Sequence, residues 1–465
     1  MPSSTPRVAI VGSGPSGLYA AAALLKGSDE VLIDILDRLP TPYGLLRYGV
    51  APDHTSLQGI QRVLAEPFGS ERVRFFGLVE LGADITADDL RAGYDAVIYA
   101  AGAAEDRRLD VRGEDLPGSR SAREFVAWYC GHPDAQPQPL AGVETAVTFG
   151  VGNVAIDVAR VLLADQTRLG ATDMPEEVLA ELAAHRIADV WVIGRRGPEH
   201  ATFTTTELRE LLTLDGVQPV LHDPVPADPA DADRRVRNNL EALRAAAHRV
   251  VEEPRGRLHL AFWRRPVELV GATGVRAVVL ERTGLDPAGR VVGTGEREVV
   301  PAQLVLRAIG YRGKPLPGVP FDPETGVIPN EGGRVLDAAG ARPGEYVVGW
   351  IKRGPLGVIG TNKSDAAATV AGLLEDLAAG VLHSPTGPDA GEVLASRGLT
   401  ASTFADWERI DEAEQAVGAR FGRPRVKVAT WHALTELVRH GRAGGPLERE
   451  SVDDQVSPVE GPSGR

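Results

Sequence analysis

The chain has 465 residues, 43% hydrophobic and 25% charged, with a formal net charge of −14 at pH 7. That length allows two or three domains, each with its own core, and excludes a small peptide scaffold. The acidic balance disfavours a general nucleic-acid binder, although a local basic patch is compatible with it. No apolar run approaches the roughly 18 residues that cross a bilayer, so a cytoplasmic protein is expected. The single cysteine, Cys130, excludes an internal disulfide, a Cys-x-x-Cys redox pair and a cysteine-ligated iron–sulfur cluster; no metal site is expected.

In chain order, Arg7 to Val11 is a short β-branched run ending at Gly12, an alanine-rich helix is predicted from Ser16 to about Lys26, and Val31 to Leu36 reads as a second strand. Only Arg7 precedes the apolar stretch Leu18 to Leu25, and a glycine motif interrupts the region, so a secretory signal is not expected. Tyr94 to Ala103 (YDAVIYAAGA) reads as a buried strand ending in small residues, where a ligand or another backbone approaches closely. The β–turn–α–β order then returns: strand Thr145 to Phe149, turn Gly150 to Asn153, helix Val154 to Leu163, strand Asp189 to Ile193. Leu304 to Gly310 is another small-residue-ended strand, and the Gly/Pro-rich stretch from Tyr311 to Asn330 reads as a crossing back. Ser451 to Arg465 is rich in Ser, Pro, Gly and acidic residues and is expected to be disordered. The fold class predicted is α/β with two Rossmann-like three-layer dinucleotide-binding domains. Residues 1–105 and 313–450 form the first, and 106–312 form the second, inserted in it.

Each glycine motif lies between a strand and a helix. In Gly12-Ser13-Gly14-Pro15-Ser16-Gly17, Gly12 permits a tight turn, Gly14 lets the backbone approach a pyrophosphate, and Gly17 lets helix and strand pack closely. Asp37, at the end of the next strand, is placed to accept from a ribose hydroxyl. In Gly150-Val151-Gly152-Asn153-Val154-Ala155 an alanine replaces the third glycine, and the corresponding strand ends in Gly194-Arg195-Arg196-Gly197 rather than an acid. Two guanidinium groups pair with a 2′-phosphate that an acid would repel, which favours NADP(H) over NAD(H). The simplest assignment is flavin in the first site and nicotinamide in the second, a pairing that defines hydride transfer to a flavin.

Five segments carry a resemblance. They are Pro42 to His54 (PYGLLRYGVAPDH), Gly152 to Arg160 (GNVAIDVAR), Gly194 to Pro198 (GRRGP), Phe203 to Leu211 (FTTTELREL), and Gly349 to Pro355 (GWIKRGP) leading into Gly357 to Asn362 (GVIGTN). In these the chain resembles the adrenodoxin-reductase type of ferredoxin–NADP⁺ reductase over most of its length. The resemblance implies FAD in the first domain, with Trp350, Gly357, Val358 and Ile359 against the flavin ring, Leu45 in contact with it and Leu81 meeting the adenine. It implies NADP(H) on Arg107, Val151, Gly152, Asn153, Val154, Arg195, Arg196 and Glu207, with Gly357 touching both cofactors. His54 and Glu210 resemble the polar pair near the nicotinamide. Since hydride transfer needs no general base, they are assigned to positioning and proton supply. Asp37 departs from the family's usual glutamate and is one methylene shorter.

By the same resemblance the acceptor is a ferredoxin- or adrenodoxin-like iron–sulfur protein serving, for example, a cytochrome P450. The arginine-dense segment Arg234, Arg235, Arg237 and Arg244 matches the position of the family's docking segment. A solvated helical face is the competing reading of those arginines. The expected oligomeric state is a monomer. Two other functions remain open at this point, a flavin-dependent NADPH monooxygenase and a redox-inactive NADP-binding module. The single cysteine rules out a pyridine-nucleotide disulfide reductase.

Overall fold

A computed structural model describes residues 5–54, 58–357, 359–382 and 384–443. Val358 and the tail 451–465, both given roles above, lie outside the described residues. The strands, in chain order, are β1 (Arg7–Val11), β2 (Leu32–Leu36), β3 (Val73–Phe76), β4 (Ala96–Tyr99), β5 (Glu105–Asp106), β6 (Ser119–Ser121), β7 (Thr145–Phe149), β8 (Asp189–Ile193), β9 (Val217–Leu221) and β10 (Gly256–Ala261). They continue with β11 (Arg264–Val270), β12 (Ala277–Leu285), β13 (Val291–Pro301), β14 (Leu304–Arg307), β15 (Tyr311–Arg312), β16 (Asn330–Glu331), β17 (Arg334–Asp337) and β18 (Gly340–Val347).

Two sheets organise the chain. The first has the order β16-β17-β18-β4-β1-β2-β3, parallel from β18 to β3 and antiparallel at the β16-β17-β18 edge. The second has the order β6-β14-β7-β8-β10-β9 and is parallel throughout. Such sheets need cover on both faces, and the residues supply it. In β1, Val8 and Ile10 belong to one buried cluster while Ala9 and Val11 belong to another. In β8, Val190 and Val192 face a helical core and Ile193 faces the cluster shared with β11-β12-β13. Alternate side chains thus enter opposite cores, which is why these strands read as unbroken apolar runs rather than as polar–apolar alternation.

The sheets are joined by two chain crossings that pair with each other: β5 and β15 are antiparallel partners, Tyr311 opposite Asp106 and Arg312 opposite Glu105. The crossing back predicted after Gly310 is therefore a strand at its start. The late segment completes the first sheet, because β18 runs parallel to β4 with Val347 beside Tyr99. Its following residues consequently emerge at the same edge as the first glycine turn.

Candidate functional site

The first turn follows from chain reversal at the end of β1. Gly12 has φ +109°, and a Cβ there would lie 2.6 Å from the Ala100 carbonyl oxygen at the end of β4, so only glycine fits. The next helix, Pro15–Gly27, starts on Gly14 with no side-chain cap. Its first-turn N–H groups are left for an anionic ligand. Asp37 accepts from the Ser13 N–H at 2.8 Å, the Ser13 hydroxyl at 2.6 Å and the Leu39 N–H at 3.0 Å. It thereby fixes the turn, and its Oδ1 keeps a free lone pair for a ribose hydroxyl. Tyr43 donates its N–H to Ser13 O at 3.0 Å, which seats the Pro42-Tyr43-Gly44 segment on the turn, with Leu45 37% exposed just beyond.

Trp350 emerges at this edge too, since the Val348 N–H donates to Tyr99 O at 3.0 Å. Its ring centroid is 5.8 Å from that of Tyr311, and its buried indole Nε1 has no partner among the described residues. A buried donor left unmade is costly, so this atom marks a place for a ligand acceptor. Together with the uncapped helix and the glycine cradle, it gives a site that fits a flavin dinucleotide. Ile359, which opens the helix Ile359–Ala378, is half-buried, Gly357 is exposed before it, and Leu81 is half-buried beyond β3.

The second turn repeats the first. Gly150 has φ +127°, its N–H donates to Ile193 O at 2.9 Å as Gly12 does to Leu36 O at 2.8 Å, and its missing Cβ would meet Ala308 O at 2.2 Å. The helix Asn153–Leu163 again lacks a side-chain cap, and Ala155, in place of the third glycine, is fully buried. Asn153 Oδ1 accepts from the Thr204 N–H at 2.8 Å, tying the helix Thr205–Leu212 to the turn. Arg195 and Arg196 follow β8 with exposed side chains. Their backbone carbonyls are held by the Thr283 hydroxyl at 2.9 Å and the Trp263 N–H at 3.2 Å, so the loop is fixed while the guanidinium groups face solvent. Arg107 is exposed, and its N–H donates to Gly310 O at 3.1 Å.

A buried ionic network ties Asp53 and His54 to the helices Asn153–Leu163 and Thr205–Leu212. Arg160, fully buried, holds Asp53 at 2.8 and 2.9 Å, Asp157 at 2.9 Å and Glu207 at 3.0 Å. His54 Nε2 stands 3.0 Å from Asp157 and 2.8 Å from Glu207. Burial opposes the imidazolium, but these two carboxylates outweigh it and push the His54 pKa up to about 9. Burial raises Asp157. Burial also opposes the charged form of Glu207, yet His54 and Arg160 hold it below the usual range. Arg160 Nη2 lies 2.7 Å from the same Nε2, which is a hydrogen bond only when Nε2 is unprotonated. The cluster therefore has two proton arrangements, Nε2–H on a carboxylate or an Nε2 lone pair on Arg160. His54, Asp157 and Glu207 also have the spacing of metal ligands, but the Arg160 guanidinium already supplies their cation.

The structure brings Glu207 rather than Glu210 onto His54. Glu210 joins the network one step away, through Arg168 at 3.3 Å, which also holds Asp53 at 2.9 Å. The reason is helical geometry: Glu207 and Glu210 are three residues apart on Thr205–Leu212 and share its face, and Glu207 is the nearer to Arg160. Asp53, Asp157, Arg160 and Arg168 had been given no role in the sequence. The available signal was an Asp and an Arg at i, i+3 on the otherwise apolar helix NVAIDVARVLL. Of the arginine segment on the helix Arg234–Ala247, Arg234 and Arg237 are exposed. Arg235 donates to Ala201 O at 2.6 Å, Arg237 to the Ala232 carbonyl, and Arg244 is bound to Asp228 at 2.5 Å, so Arg235 and Arg244, half-buried, face the protein as much as solvent.

Two glycine turns at the carboxyl ends of parallel strands in two sheets, with an ionic network at the helices of the second, define an oxidoreductase with two dinucleotide sites. No family model matches the chain, but close relatives do. NADPH-ferredoxin reductase FprA of Mycobacterium tuberculosis is 46% identical over 457 residues, covering 93% of this chain and 98% of the relative. The mitochondrial NADPH:adrenodoxin oxidoreductase of Homo sapiens is 42% identical over 463 residues, covering 94% and 92%. The solved structure of the Mycobacterium tuberculosis FprA complex with NADPH superposes with a TM-score of 0.88 at 45% identity, over 94% of this chain and all of that one. The chain belongs to the family of NADPH-ferredoxin and NADPH:adrenodoxin reductases.

Proposed function

We propose that this protein is an FAD-dependent reductase that oxidises NADPH and reduces a small ferredoxin-type iron–sulfur protein. The observation that carries the reading is the pair of uncapped glycine turns, only the second of which is followed by exposed arginines. Bound at the first turn, FAD supplies the conversion of a hydride into single electrons. The chain's own residues would act as follows. The Gly12 to Gly17 turn and the start of Pro15–Gly27 hold the pyrophosphate, Asp37 the ribose, Leu81 the adenine. Leu45, Trp350, Gly357 and Ile359 enclose the ring and keep water from it. Val151 to Val154 hold the second pyrophosphate, Arg195 and Arg196 the 2′-phosphate, with Arg107 beside them. His54 keeps a proton on Nε2 between Glu207 and Asp157, with Glu210 and Arg168 as the outer charge pair. The exposed Arg234 and Arg237 dock the iron–sulfur partner. We place the protein in the cytoplasm as a monomer.

The test is steady-state turnover. With flavin-loaded protein, NADPH and a ferredoxin coupled to cytochrome c, reduction of the cytochrome should depend on the ferredoxin. NADPH consumption that needs only oxygen and an organic substrate would instead indicate a monooxygenase.

A further inference from the structure

The second sheet carries a side-chain cluster that uses none of the residues assigned above. Trp191 of β8 and His259 of β10 are register partners, and His222 follows β9 with its N–H on Leu260 O at 3.0 Å. Both imidazoles stack on the Trp191 indole, each with centroids 4.3 Å away and tilts of 26° and 5°. Their own centroids are 5.2 Å apart, so they lie side by side on one face of the indole. His222 Nε2 is 2.9 Å from His259 Nδ1. On its far side, His259 Nε2 is 2.8 Å from Asp189 Oδ1, and Arg257 holds that carboxylate at 2.6 and 2.8 Å.

These contacts fix the tautomer. An ionised carboxylate can only accept, so His259 donates its Nε2–H to Asp189 and turns the Nδ1 lone pair towards His222. In the metal-free protein the His222 Nε2–H donates to that lone pair. With its proton on Nδ1 instead, His222 offers a second lone pair beside that of His259. Two imidazole nitrogens 2.9 Å apart are close enough to bind one ion side by side, and a ring braced by a carboxylate is the arrangement that metal-binding histidines use. Imidazole nitrogen selects late first-row ions over magnesium or calcium. The stack on Trp191 fixes both rings in advance, and the exposure of His222 leaves the other coordination positions to water.

We propose that His222 Nε2 and His259 Nδ1 form a chelating site for a late first-row divalent metal, copper(II) binding most tightly, with Asp189 as the residue that orients His259. No local spacing marks it, because the two histidines are 37 positions apart and meet through the β9-β10-β8 order. On metal binding the proton moves from His222 Nε2 to its Nδ1, and the metal, at about 2 Å from each nitrogen, sits off the line that joins them.

The test is a copper(II) titration of the flavin-loaded full chain, after chelator treatment, against a competing amino-acid buffer and read by frozen-solution electron paramagnetic resonance. One equivalent should give a single signal split by two nitrogen ligands. That signal should disappear in His222→Ala, a surface change that keeps the thermal transition of the parent, and in His259→Gln. Asp189→Asn should weaken the affinity by roughly 10- to 100-fold. Failure of the parent protein to hold copper against the buffer, or persistence of the signal in both histidine variants, would overturn the proposal.

Discussion

Arg160 shows what one residue does here. It is fully buried and touches Asp53, Asp157 and Glu207, so its removal strands carboxylates in a dry interior. Arg160→Leu should cost about 3–5 kcal/mol of stability, measured by denaturant unfolding; a loss below 1 kcal/mol would mean that water reaches the cluster. His54 makes a second prediction, in pH. Its native pKa is raised from 6.5 to about 9, so the folded state holds the proton more tightly than the unfolded chain. The resulting stabilisation is complete below about pH 6.5 and is lost as pH rises through about 9, amounting to about 3 kcal/mol. Unfolding of the parent and His54→Gln at pH 6 and pH 10 should show this extra loss in the parent alone, and identical pH dependence in both would refute it. At the second turn, Arg195→Ala and Arg196→Ala should each remove a charge-assisted contact worth about 1.5–3 kcal/mol. The KM for NADPH should then rise about 10- to 100-fold while that for NADH stays near the parent value.

At the scale of elements, the parts with local signatures could be read from the sequence. Strands β1, β7 and β8 fall where the apolar runs put them, and the two turns fall where the glycines do, because a strand that must reverse into a helix advertises itself in neighbouring residues. The antiparallel β11-β12-β13 sheet was not read, since its strands are half-exposed and carry mixed polar patterns. The ionic network was legible only in part for a different reason. Asp53, Arg160 and Glu207 lie on separate elements, and nothing in the sequence fixes which acid on Thr205–Leu212 comes nearest His54. The turns themselves can be tested against each other. Gly12→Ala forces a Cβ into the Ala100 carbonyl at positive φ, whereas a Cβ at Gly152 meets only Thr202 Oγ1 at 3.3 Å. The first substitution should abolish flavin retention, seen in the ratio of flavin to protein absorbance. Gly152→Ala should keep the flavin and weaken only NADPH binding.

For the whole molecule, a net charge of −14 repels any partner that is itself acidic, and docking such a partner requires a local basic face. The helix Arg234–Ala247 is pinned to Thr205–Leu212 by Asn239, which bonds Phe203 O at 3.1 Å and the Thr205 hydroxyl at 2.7 Å. Its exposed arginines therefore lie on the element next to the network. Reversing Arg234 and Arg237 to Glu should raise the KM for ferredoxin and flatten its salt dependence, without changing the rate at which NADPH reduces the flavin. The most direct test of the central claim, two dinucleotide sites working in series, is anaerobic stopped-flow absorbance of the flavin-loaded protein mixed with NADPH or NADH and then with oxidised ferredoxin. Rapid bleaching by NADPH, slower bleaching by NADH and recovery of the yellow colour on adding ferredoxin are expected. A protein that takes up no FAD, or whose flavin NADPH leaves oxidised, would contradict it.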